Sequence, residues 1–130
     1  MKSTFFIALF IVIASLFSSC KKEDATKNTV TIEIQEPNEN QVFSYGEELH
    51  VSALVKGTEK LFSVNLTVKN TLTGETLISY SDTEQEKNYF IHEHVFNTVL
   101  NQATISIIVE AKISDSETKT ISRNVVFIPQ

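Results

Sequence analysis

From Val30 to Phe127 the apolar residues of this 130-residue chain recur at every second position in one run after another, and that period selects the β-strand. Alternate side chains of a strand point to opposite faces, so such a run has one dry face and one wet face. Val30, Ile32 and Ile34 alternate with Thr31, Glu33 and Gln35. Leu49, Val51, Ala53 and Val55 oppose His50 and Ser52. In Leu61 to Asn70 the pattern puts Phe62, Val64, Leu66 and Val68 on one face against Ser63, Asn65, Thr67 and Lys69. The longest run, Ala103 to Ser114, aligns Ile105, Ile107, Val109, Ala111 and Ile113, and the last, Thr118 to Pro129, aligns Val125 with Phe127. No segment of this region carries a helical period.

Turn chemistry separates the runs. Pro37-Asn38-Glu39-Asn40 breaks the first strand before a short extended piece, Val42-Phe43, and a turn at Tyr45-Gly46. Thr71-Leu72-Thr73-Gly74 is expected to be a hairpin loop into Thr76 to Ser81, with Gly74 taking a positive φ. Asp82 to Lys87 has no apolar residue and is expected to be an exposed crossing loop; Asn97 to Gln102 and Asp115 to Glu117 are further turns. One run resists the binary reading. In Tyr89 to Phe96 one face would carry Tyr89, Ile91, Glu93 and Val95, the other Phe90, His92, His94 and Phe96, and neither is plainly apolar.

About seven strands with turns roughly every eight to twelve residues predict an all-β domain over residues 29–130, an immunoglobulin-like antiparallel β-sandwich. The chain has no tryptophan and a single cysteine, which excludes the antibody-type core of a disulfide packed on a tryptophan. The stretches VTIEIQEPNENQVFSYGEELHVSALV, LFSVNLTVKNTLTGETL and ATISIIVEAKISDSETKTISRNVVFIP resemble the bacterial Ig-like, fibronectin-III-like domains of surface proteins, with Asn40 standing where those domains often have a turn glycine. That resemblance implies a fold and no activity.

Ahead of the domain, Lys2 is followed by an apolar run from Phe5 to Phe17, interrupted by Ser15, and then by Ser18 and Ser19, the grammar of a signal peptide over residues 1–19. Thirteen helical residues rise about 20 Å, short of the roughly 30 Å of a bilayer core, so a permanent transmembrane span is not expected. Leu16-Phe17-Ser18-Ser19-Cys20 resembles the lipobox of bacterial lipoproteins, with Phe17 at the position usually held by leucine. The resemblance implies leader removal before Cys20, a diacylglycerol on its sulfur and an acyl chain such as palmitate on its nitrogen, hence a membrane anchor. Residues 21–28 are polar and aperiodic and form the expected tether, which extends at most about 25–30 Å. Cys20-Lys21-Lys22-Glu23-Asp24 further resembles the surface-export signal of some Gram-negative lipoproteins, implying an outer-membrane location and display at the surface. The layout as a whole is similar to a group of small lipoproteins without a characterised function.

A formal net charge of −5 argues against nucleic acid as a partner. No Gly-x-Ser-x-Gly, glycine-rich phosphate loop or His-Glu-x-x-His occurs, so no catalytic residue is nominated and an enzyme is not expected. The residues with coordination chemistry are His92 and His94, which two-residue spacing puts on one face of a strand, with His50 as a third imidazole if its strand lies alongside; zinc or copper would suit such a set. The competing reading is packed or surface imidazole between Phe90 and Phe96. No other cofactor is expected. The leading functional expectation is a lipid-anchored, non-catalytic binding or structural module with a protein or surface-assembly partner. The alternatives are a zinc- or copper-binding lipoprotein and an accessory subunit of a surface glycan or transport assembly. Loops 82–87 and 115–117 and the strand Phe90 to Phe96 are the candidate recognition surfaces, because Val64, Leu66, Ile105, Ile107 and Val109 are committed to a core.

Overall fold

The computed structural model describes residues 28–83, 86–114 and 117–130. Every element among them is a strand: β1 (Val30–Glu36), β2 (Val42–Phe43), β3 (Glu48–Gly57), β4 (Ser63–Asn70), β5 (Thr76–Asp82), β6 (Asn88–Phe96), β7 (Ala103–Ser114) and β8 (Glu117–Phe127). They form a three-stranded sheet in the order β1-β3-β6 and a five-stranded sheet in the order β2-β8-β7-β4-β5. The chain is an immunoglobulin-like β-sandwich, with the two-residue β2 as an eighth strand. All pairings are antiparallel but one: β2 lies parallel to β8.

That exception has a local cause. Pro37 supplies no N–H and cannot extend the ladder of β1, so the chain leaves the three-stranded sheet there and crosses to the other sheet beside β8. The crossing is fastened to β8: Arg123 Nη1 donates to the Pro37 carbonyl at 2.6 Å, and the Asn40 N–H donates to the Asn124 carbonyl at 2.8 Å. Asn40 has a φ of 60°. It adopts the left-handed conformation that a glycine would otherwise supply, which asparagine tolerates better than most side chains. Gly74 has the positive φ (76°) expected of the β4–β5 hairpin.

The core is the sum of the inward faces. Val30, Ile32 and Ile34 from β1 and Leu49, Val51, Ala53 and Val55 from β3 pack against Val64, Leu66 and Val68 from β4, the row Ile105 to Ile113 from β7, and Val125 and Phe127 from β8. Phe43 meets Phe127 edge to face, with ring centres 5.9 Å apart. Every buried side-chain nitrogen and oxygen among the described residues has a hydrogen-bond partner. Asn97 shows how: fully buried after β6, it donates through Nδ2 to the carbonyls of Phe43 (2.9 Å) and Ile128 (2.8 Å), while its Oδ1 accepts from the Val99 N–H (3.1 Å). It ties the end of β6 to β2 and to the end of β8, neighbours at one edge of the other sheet.

The alternation fails at one predicted core residue. Phe62 was expected to face inward with Val64, but β4 opens at Ser63 and Phe62 is 45% exposed, its ring under the Lys112 ammonium at 5.3 Å. Leu61 is buried in its place, its N–H held by the Glu86 carbonyl. Ahead of the ladder the backbone is not pleated, and parity does not extend to residues outside the pleat.

Candidate functional site

The mixed strand β6 is an edge strand, and the sandwich decides which of its faces is dry. Ile91 is buried, and Tyr89, Glu93 and Val95 are half-buried beside it; Phe90, His92, His94 and Phe96 all face out. Phe90 and Phe96 are 55% and 53% exposed, high for phenylalanine on a folded surface.

The antiparallel register of β3 and β6 sets His50 directly opposite His94 and Ser52 opposite His92, so strands far apart in sequence bring all three histidines together. The His50 ring stands at nearly equal centre-to-centre distances from the other two, 6.2 Å to His92 and 6.3 Å to His94. Glu48, two residues before His50 and therefore on the same face, places Oε2 3.1 Å from His50 Nε2 and Oε1 3.8 Å from His94 Nε2. Phe90 stacks on His92 with planes 11° apart, closing the far end of the cluster, and Phe96 stands opposite Glu48 at the near end. A shallow groove of about 280 Å³, walled by residues that include Glu36, Asn38, Glu48 and His50, opens beside the rings. The outer face of the three-stranded sheet thus offers apolar rings, imidazoles and carboxylates side by side.

The inward side of β6 carries a different polar group. Tyr89 reaches across the open side of the sandwich to the edge strand of the other sheet, where its hydroxyl meets Tyr80 and hydrogen-bonds Asp82 Oδ2 at 2.5 Å. Tyr80 donates to the same carboxylate oxygen at 2.9 Å. Burial, reinforced by the Asp82 carboxylate, pushes the Tyr89 phenol well above its ordinary range. Asp82 is accordingly the last residue of β5 and not part of a free loop; residues 84 and 85 of the expected recognition loop lie outside the described residues, as do Asp115 and Ser116 of the other. Cys20, the leader and the tether up to Lys27 also lie outside them.

Sequence reasoning named the three histidines and passed over Glu48. Its signal was present in the same alternation that paired His50 with Ser52, since Glu48 shares their parity. The adjacency of β3 and β6 had no such signal.

No protein-family model matches the chain, and no curated protein matches it. Among solved structures it is similar to the periplasmic chaperone SfaE, at 9% identity and a TM-score of 0.48 over 78% of this chain and 58% of that one. It is also similar to the sporulation control protein Spo0M from Bacillus subtilis, at 12% identity and 0.44 over 79% and 50%, and to PapD-like domain 7 of human CEP192, at 13% and 0.42 over 78% and 84%. The chain spans between half and three-fifths of the length of the first two of these.

Proposed function

We propose that this protein is a lipid-anchored protein of the cell envelope whose immunoglobulin-like domain is a non-catalytic binding or structural module. The observation that carries the reading is the run Leu16-Phe17-Ser18-Ser19-Cys20, an apolar leader that ends in small residues at the chain's one cysteine. Lipid on that thiol would hold the chain at the membrane, since each buried methylene contributes about 0.8 kcal/mol and two or more acyl chains exceed what a single myristoyl group supplies. Lys22-Glu23-Asp24 behind it favours the outer membrane and its outer surface. With β1 opening at Val30, the tether keeps the sandwich within about 30 Å of the bilayer, and a partner is met close to the membrane. The outward face of β3 and β6 is the surface we assign to that partner, a protein of the envelope, because exposed phenylalanine beside imidazole and carboxylate allows apolar burial and hydrogen bonding in one patch.

The test of the anchor needs no knowledge of the partner. Cys20→Ser removes the sulfur that would receive lipid and touches none of the described strands. The variant is expected to lose radioactive palmitate labelling and to leave the membrane fraction. Unchanged membrane association with a normally removed leader would overturn the reading; an uncleaved membrane-bound species would replace it with a signal anchor.

A further inference from the structure

We propose that His50, His92 and His94, together with Glu48, form a surface site for a divalent transition-metal ion of the zinc or copper(II) class. The donor set has the right chemistry, three imidazoles and one carboxylate, for a borderline cation in four-coordinate geometry. Its present dimensions are somewhat wider than those a metal needs. With bonds of about 2.0–2.1 Å, the ligand atoms of a tetrahedron stand roughly 3.3–3.4 Å apart. Glu48 places Oε2 3.1 Å from His50 Nε2, near that value, while His94 Nε2 lies 3.8 Å from its other oxygen, Oε1. Two imidazoles on one zinc have ring centres roughly 5 Å apart. The separations of 6.2 Å and 6.3 Å around His50 therefore close by about an ångström each.

Among the described residues no three such donors stand as a group that could hold a metal ion, so binding requires the rings to move from their present positions. The side chains are free to follow: those of His50 and His94 are 48% and 58% exposed, and rotation about their side-chain bonds disturbs no core residue. The backbone, by contrast, is fixed. His50 and His94 are cross-strand partners in an unbroken nine-pair ladder, and His92 shares their face, so the chelate is built on rigid strands. Glu36 in the adjoining groove and the chain's net charge of −5 add a field that attracts a cation. The groove also leaves the ion accessible from solvent.

The experiment is a calorimetric titration of zinc chloride, and separately copper(II) chloride, into the full-length chain carrying Cys20→Ser in detergent, so that no thiol competes. One ion per chain with a Kd of about 10 μM or tighter is expected, with copper bound more tightly than zinc. His50→Ala removes one of the three rings and is expected to weaken both ions at least about tenfold, and Glu48→Gln about tenfold, with circular dichroism unchanged. The chain has three histidines, so imidazole nitrogen coupling in the electron paramagnetic resonance spectrum of the copper complex reports this cluster without any further variant. Absence of saturable binding of either ion up to about 100 μM, absence of imidazole coupling, or equal affinity in His50→Ala would each overturn the proposal.

Discussion

The two faces of β6 are made of similar residues and do opposite work. Inward stand Tyr89, Ile91, Glu93 and Val95; outward stand Phe90, His92, His94 and Phe96. By hydrophobicity the outward set is no poorer, since it holds two phenylalanines. What separates them is what lies across the gap. Ile91 meets the core, and the Tyr89 hydroxyl finds Tyr80 and Asp82 on the edge of the opposite sheet, so its polar end is satisfied as its ring is covered. Among the described residues nothing buries the outward rings. A strand of mixed composition is oriented by the face whose polar groups can be satisfied inside, and the other face is left to solvent.

The largest effect that tests this contrast is expected from Ile91→Ala. Its side chain is 2% exposed, and truncation should cost about 2–4 kcal/mol, read as a lower midpoint in urea unfolding. A cost near zero would mean that β6 is not seated as described.

Tyr89→Phe is expected to cost about 1 kcal/mol at neutral pH, through the hydrogen bond to Asp82 and the contact with Tyr80. It also carries a pH signature. The folded state holds the Tyr89 phenol neutral to higher pH than the unfolded chain, whose tyrosines ionise near pH 10. Stability from this source is therefore complete below about pH 10 and is lost as pH rises beyond it. The phenylalanine variant should show a shallower alkaline decline, measured as midpoint against pH, and an identical decline would remove the latch between the sheets.

The smallest effect is expected on the outward face. His92→Ala combined with His94→Ala should leave the melting temperature within about 3 °C, because both rings are exposed and no core contact is lost. A drop as large as that of Ile91→Ala would put the histidines in the core and undo the site.

The alternation of Val30-Ile32-Ile34, of Leu49 to Val55, of Val64-Leu66-Val68 and of Ile105 to Ile113 was sufficient by itself to determine strands, their inward residues and an all-β sandwich, because a strand's two-residue period converts parity directly into face. The Gly74 turn was equally local. Phe62 marks where that rule stops, one residue before the pleat begins. Three things were decided by tertiary structure alone. Which face of β6 is dry depended on the strand across the gap. The gathering of His50 with His92 and His94 depended on β3 and β6 being neighbours, and the parallel seat of β2 on where the chain crosses after Pro37. Pairing joins residues about forty positions apart through backbone hydrogen bonds that any side chain can accompany, so the sequence carries the parity of each strand but not the identity of its neighbour.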